Sequence, residues 1–201
     1  KKNIVNNTFV STSTSPLIID RVIFSLLLQI IMSIYTVHKD WEIQCTDLIE
    51  GIELGRGSFG VVVKATLAGM DVAVKKIAAS ASSSEKDMAR RMLNGEVKAL
   101  SRCQHVNIVR LIGACSNPPM LVLAFASKGS LRDLLRHNYN DVSSSRKMEL
   151  LRGICNGMLM LHSKNILHLD LKPENVLISS DGTPWVADFG LAIAMTTTLT
   201  G

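Results

Sequence analysis

The chain has 201 residues, 47% of them hydrophobic, enough for one medium domain with a real core. Its net charge of +5 comes from scattered basic residues, in isolated pairs such as Lys75-Lys76 and Arg90-Arg91. No Lys/Arg block interleaves with aromatic residues, so no nucleic-acid surface is expected. Cys45, Cys103, Cys115 and Cys155 lie far apart, with no C-x-x-C pair and no histidine at zinc spacing. That pattern argues against a zinc site or a disulfide framework and fits reduced packing residues in a reducing compartment.

Residues 1–40 read as a polar tail followed by a hydrophobic segment. The first 16 are rich in Asn, Ser and Thr and predict disorder. Val22–Val37 is apolar but short of the roughly 18–20 residues that span a bilayer, and Gln29 interrupts it. Lys39 on one side and the Asn6-Asn7-Thr8 sequon on the other suit an outside-to-inside anchor. Two other readings stay open: a segment packed on the domain, or sequence outside the mature protein. A signal peptide is disfavoured, because no small-residue cleavage site follows the run.

From Trp41 onward the pattern is short strands and then helices, an α+β arrangement. Ile52–Leu54, Gly60–Thr66 and Asp71–Lys76 predict three strands punctuated by Gly55, Gly57 and Gly69. Ser84 with Asp87 three residues on is a capping signal, and a helix should run from about Glu85 to Arg102. Ile108–Ile112 and Met120–Phe125 are strand-like, and Ser130–His137 and Arg146–His162 are helical. Short apolar strands follow around Ile166, Val176 and Val186.

Three groups of residues carry the chemistry. The first is Gly55-Arg56-Gly57-Ser58-Phe59-Gly60. G-x-G-x-x-G also occurs in dinucleotide-binding folds, but there a helix follows the turn. Here Gly60 leads into the β-branched run Val61-Val62-Val63, which predicts a strand, and two strands joined by glycines make a flap able to close over a triphosphate. A dinucleotide-dependent oxidoreductase is disfavoured on the same ground.

The second is Lys75, on the next strand, with Glu96 on the helix after it. At 100° per residue, Glu96 falls in the middle of an arc formed by Ala89, Met92, Leu93, Ala99, Leu100 and Cys103. An acid centred on an apolar face needs a cationic partner, and Lys75 is the natural one. The alternative is an acid that snorkels to the edge of the face.

The third runs from His168 to Asn175 (HLDLKPEN), with Asp188-Phe189-Gly190 eighteen residues after Asp170. Phosphoryl transfer needs a carboxylate to orient the incoming hydroxyl, oxygen ligands for Mg²⁺, and a cation near the transferring phosphate. Asp170, Asn175 with Asp188, and Lys172 supply these chemistries in that order.

On these motifs, residues 41–201 resemble a eukaryotic protein kinase, and the wording around Trp41, Gly55–Gly60 and His105–Cys115 resembles the tyrosine-kinase-like group. The resemblance implies a two-lobed fold, with 41–123 as a β-rich N-lobe and 124–201 as hinge and partial helical C-lobe ending in the activation segment. It implies ATP and Mg²⁺ as cofactors and a protein hydroxyl as acceptor. Gly55, Gly57 and Gly60 would cover the phosphates, which Lys75 grips while paired to Glu96. Val62 and Ala73 would form the adenine roof and Leu177 its floor. Leu123 stands at the gatekeeper position, and Ala124, Phe125 and Ala126 form the hinge. Leu100, Leu111, His168 and Phe189 would form the stacked core between the lobes. Asp170, Lys172 and Asn175 carry the catalytic loop, and Lys172-Pro173-Glu174 resembles its serine/threonine version. Asn175 and Asp188 would hold the metal.

Two departures bear on activity. The family usually has Arg where this chain has Leu169, which cannot pair with a phosphate on the activation segment. The chain also ends within the expected activation segment, so the resemblance covers about the first 60% of a kinase domain. It is therefore expected to be a fragment of a longer gene product or an incomplete gene model, with apolar residues of the Arg146–His162 helix (Leu150, Leu151, Ile154, Met158, Leu161) lacking cover. The leading expectation is a protein serine/threonine kinase, with a cytoplasmic catalytic domain that is membrane-anchored if Val22–Val37 spans. The alternative is a kinase-like fragment that binds nucleotide or a partner without catalysis.

Overall fold

The computed structural model describes residues 41–57, 60–138 and 142–194. The hydrophobic segment 22–37, the sequon, Ser58-Phe59 and the Thr196–Thr200 stretch lie outside the described residues. Among those described, no helix is long and apolar enough to cross a membrane.

Five antiparallel strands form the first sheet: β1 (Leu48–Gly57), β2 (Gly60–Leu67), β3 (Met70–Lys76), β4 (Leu111–Ser116) and β5 (Pro119–Ala124). Their spatial order is β1-β2-β3-β5-β4. Register assigns the two faces, because directly paired residues point to the same side of a sheet. The row Val63–Val74–Val122 lies on one face, and the rows Val62–Lys75–Leu121 and Lys64–Ala73–Leu123 lie on the other. Val61, Val63, Ala65, Val72, Val74 and Val122 bury one small core, with Ile43 and Leu48 packed against it. The opposite face sends Leu121 and Leu123 into the larger core.

The free edge of β4 is covered by the segment before β1. Ile43 N–H donates to the Ala114 carbonyl at 2.9 Å, and the Glu42 carboxylate accepts from the amide and hydroxyl of Ser116. A Cβ on Gly113 would come within 2.7 Å of the Ile43 side chain, so glycine makes room for this strap. Covering an edge in this way removes a template for unwanted strand pairing.

Helix α1 (Ser83–Leu100) starts two residues earlier than expected. The acid spacing occurs twice, at Ser82/Glu85 and Ser84/Asp87, and the structure uses the first. The longer Glu85 side chain reaches back to accept the Ser82 N–H at 2.7 Å, closing a reciprocal capping box.

The expected strand Ile108–Ile112 is also corrected: β4 begins only at Leu111. Residues 107–109 pair elsewhere, with Val109 N–H donating to the Val186 carbonyl and Val186 N–H donating to the Asn107 carbonyl, both at 2.9 Å.

Two helices follow, α2 (Leu131–Asn138) and α3 (Ser144–Ser163), then β6 (Ile166–Leu167), a 3-10 turn (Pro173–Asn175), β7 (Val176–Ile178), β8 (Pro184–Val186) and β9 (Ile193–Ala194). β6 pairs with β9 and β7 with β8. On α3, Leu150 and Leu161 are buried, and Ile154 and Met158 pack against the large core. The 107–109 segment and β8 thus cover much of the face expected to lie bare. Met148, Leu151 and Leu159 are the large apolar residues of α3 that stay exposed. Close approach is made by Gly157, where a Cβ would fall 2.6 Å from the Asn107 carbonyl oxygen and 3.0 Å from Val186.

The β2–β3 hairpin turns on Ala68 and Gly69, both at positive φ (48° and 80°). A two-residue loop of this kind needs the left-handed region twice, and alanine is poorly suited to it. Ala68→Gly is therefore expected to raise the stability of the chain by about 1 kcal/mol, read as a higher midpoint in urea with an unchanged slope.

Candidate active site

Lys75 stands on β3, on the sheet face that looks toward α1. Its Nζ lies 2.8 Å from Glu96 Oε2 and 2.7 Å from Asp188 Oδ1. Glu96 projects from the buried face of α1 and is 1% exposed. Its second oxygen, Oε1, accepts the Phe189 N–H at 3.1 Å. The Lys75–Glu96 pairing expected from helix geometry is present. Asp188 as a second acceptor for Lys75, and the Phe189 amide as a second donor to Glu96, were not anticipated from the sequence.

Burial opposes charge on Lys75, but the fields of Glu96 and Asp188 and its hydrogen bonds to them outweigh it and hold its pKa above the ordinary value. For Glu96, burial dominates and pushes the carboxyl above the usual range, with Lys75 and the Phe189 amide opposing.

The segment after β6 is built on His168, which is buried. Its Nε2 lies 2.9 Å from the Ala187 carbonyl oxygen, and its Nδ1 accepts the Asp170 N–H at 3.3 Å. With Nδ1 accepting, Nε2 is the donor, which fixes the tautomer. The ring lies 5.2 Å from that of Phe189, tilted by 55°. Phe189 shares the large core with Leu100 and Leu111, and His168 meets it through the Phe189 ring.

Asp170 Oδ2 accepts from Lys172 Nζ at 2.7 Å and from Asn175 Nδ2 at 2.9 Å. Asn175 Nδ2 also donates to the Asp170 carbonyl at 2.9 Å. These contacts orient the Asn175 amide, nitrogen toward Asp170 and oxygen away. The hydrogen bond from Lys172, with help from Asn175, holds the Asp170 carboxyl below its ordinary range, and the same hydrogen bond holds Lys172 above its own. The field of Asp188 adds to this on Lys172. Ala187 N–H donates to the Asn175 carbonyl at 2.8 Å, which ties the 3-10 turn to the Asp188 segment.

The remaining expected residues lie on the sheet, in the segment after β5 and on β7. Val62 pairs opposite Lys75, and Ala73 pairs between Lys64 and Leu123. Leu177 on β7 and Ala73 both pack against the large core. Ala124 N–H donates to the Arg110 carbonyl at 3.0 Å, and the Ala126 carbonyl closes a turn with the Gly129 amide at 3.3 Å. The three glycines differ. A Cβ on Gly60 would collide with the Lys76 carbonyl, so β-pairing itself demands glycine there. Around Gly55 and Gly57 nothing lies within 4 Å, so packing among the described residues does not demand glycine at either position.

Of the four non-glycine residues with positive φ among those described, two belong to the site. Leu169 and Asp188 both have positive φ, 63° and 62°. Such outliers cluster where a site over-determines its geometry. Leu169 is 59% exposed and presents an aliphatic tip beside Asp170.

Among the described residues no group of three or more His, Cys, Asp or Glu gathers as a metal site. The oxygen atoms of Asp188 and Asn175 are hard donors of the kind Mg²⁺ takes together with substrate phosphates.

Removing Lys75 should expose the cost of the buried acid. In Lys75→Met, Glu96 loses its counter-charge and its pKa rises further, so the folded chain favours the protonated form. A raised folded pKa gives stability at low pH that is lost as pH rises through the raised value. The loss relative to wild type is expected to be about 3–5 kcal/mol at pH 8 and smaller at pH 5, measured by urea unfolding at both.

The model of the family described as protein tyrosine and serine/threonine kinase matches residues 48–200. The chain is 38% identical over 154 residues to mitogen-activated protein kinase kinase kinase 7 of Homo sapiens, covering 73% of this chain and 24% of that one. It is 36% identical over 156 residues to a serine/threonine-protein kinase/receptor of Acanthamoeba polyphaga mimivirus (76% and 9%). It is 34% identical over 157 residues to the serine/threonine-protein kinase drkD of Dictyostelium discoideum (76% and 12%). The chain thus spans between 9% and 24% of the length of these relatives. Because the family model accounts for well over half of the chain, the protein belongs to the protein tyrosine and serine/threonine kinase family.

Proposed function

We propose that this chain forms the nucleotide-binding and phosphoryl-transfer part of a protein serine/threonine kinase, with residues 41–123 and 124–201 as the two sides of the cleft. The observation that carries the reading is a pair of charge clusters, Lys75–Glu96–Asp188 and Asp170–Lys172–Asn175, joined through the Ala187 amide on the Asn175 carbonyl, one residue before Asp188. Two of the relatives are named serine/threonine-protein kinases, and Lys172-Pro173-Glu174 supports the same acceptor class.

In this reading ATP lies between the sheet and β7. Val62 and Ala73 cover the adenine, Leu177 lies beneath it, Leu123 limits its depth, and Ala124 and Ala126 offer backbone groups to its edge. Gly55, Gly57 and Gly60 let backbone amides approach the phosphates. Lys75, kept charged by two carboxylates, holds phosphate oxygens. Asp188 and Asn175 hold Mg²⁺, which when bound neutralises charge on the phosphates. Asp170, kept ionised by Lys172 and Asn175, accepts a hydrogen bond from the Ser or Thr hydroxyl and orients it in line with the γ-phosphate. Lys172 then lies beside the charge that develops on the transferred group. Leu169 removes the usual cation for an activation-segment phosphate, so activity is independent of that contact.

The test uses the purified full chain with Mg·ATP and a Ser/Thr-containing acceptor protein. Expected are thermal stabilisation by Mg·ATP and transfer of labelled phosphate to Ser or Thr. Asp170→Asn should keep the stabilisation and lose transfer by about 10²–10⁴-fold. Replacing Thr196, Thr197, Thr198 and Thr200 with Ala should leave transfer within tenfold of wild type. Stabilisation without transfer in the wild type selects the binding-module reading instead, and full activity of Asp170→Asn sinks the assignment.

A further inference from the structure

Lys64 is a charged residue of the cleft-facing sheet surface that the reading above does not use. It pairs directly with Ala73, which pairs with Leu123, so the three stand in one row across β2, β3 and β5. The row crosses two inter-strand gaps, roughly 9–10 Å. At its far end the chain leaves β5 at Ala124 and continues to Phe125. The Lys64 ammonium reaches across β3 and lies 4.9 Å from the centroid of the Phe125 ring, within the range of a cation–π contact. Asp71 Oδ2 holds the same ammonium at 2.7 Å.

The ion pair alone carries little meaning. Lys64 and Asp71 are 34% and 52% exposed, and a pair so wetted contributes little to stability. The ring contact differs in kind, because it joins two segments that are not sheet neighbours. One is β2, which continues directly from the glycine segment at Gly60. The other is the exit from β5, which is tied to β7 downstream through the Lys128 amide on the Ile178 carbonyl and the Ile178 amide on the Gly129 carbonyl. Any movement of the flap strand away from this segment must break the contact.

We infer that Lys64 is a positioning residue for the nucleotide site: by capping Phe125 it sets the spacing between the flap strand and the hinge segment 124–126. The inference rests on the nucleotide reading given above for its purpose, but the strut itself is a property of the nucleotide-free chain. Asp71 serves by keeping the ammonium over the ring, and Arg in place of Lys64 retains both contacts.

Hydrogen exchange of the nucleotide-free full chain tests the strut. Lys64→Met and Phe125→Leu are each expected to speed exchange in residues 124–128 by about 2–5-fold, with residues 111–122 and the melting temperature nearly unchanged. Lys64→Arg should exchange like wild type, and the double variant Lys64→Met/Phe125→Leu should exchange no faster than either single one. In phosphate transfer, Lys64→Met should raise KM for ATP several-fold with kcat within about twofold. Unaltered exchange at 124–128, an increase spread evenly over the sheet, or additive effects in the double variant would overturn the strut. An unchanged KM despite faster exchange would overturn its role in nucleotide positioning. A wild type that binds no nucleotide would reject the functional reading, while the exchange data would still decide on the strut.

Discussion

The buried carboxylate of Glu96 is the constraint on which the rest of the cleft depends. An ionised acid taken from water is tolerated only with a cation and further donors in place. Here the cation comes from β3 and the second donor from the Phe189 amide, so satisfying one side chain of α1 fixes three separate pieces of chain. Lys75 is in turn shared with Asp188, whose backbone lies in a conformation that L-residues rarely adopt. The strain is held because the next residue, Phe189, is locked by its amide on Glu96 and by its ring in the core beside His168.

Below this latch the packing is closely fitted. The segment 107–109 exchanges hydrogen bonds with β8, and α3 lies against it through Gly153 and Gly157, where any side-chain carbon would meet Pro184, Asn107 or Val186. His168 then hydrogen-bonds the Ala187 carbonyl from the other side. Asp170 and Asp188 therefore hang from adjoining parts of one framework, and the distance between them is set by backbone hydrogen bonds more than by their own contacts.

Much of this is legible in the residues. Alternating valines place β2 and β3, and the 100° periodicity of α1 places Glu96 on a buried face before any partner is known. Ile108–Ile112 misleads for a physical reason: a short apolar run records that it is buried but not which strand edge it joins, and Val186 claims it first. The helix start misleads because two serine–acid spacings overlap, and only the reach of Glu over Asp separates them. Contacts between groups distant in sequence, such as Phe189 on Glu96 or Lys64 on Phe125, leave little local trace. Their signal, where one exists, is that Lys64 shares a sheet face with Ala73 and Leu123.

The amide of Asn175 has a consequence for how this site can change. Its nitrogen donates twice to Asp170, once to the carboxylate and once to the carbonyl. An acid at that position would donate nothing when ionised and would set a second negative charge about 3 Å from the first, where two carboxylates share one proton rather than both ionise. Deamidation of this one side chain, a slow chemical ageing of proteins, would then convert Asp170 from a group whose pKa is held low into half of a coupled acid pair. The isosteric exchange of nitrogen for oxygen would change the charge and hydrogen bonding at Asp170 with little change of side-chain shape.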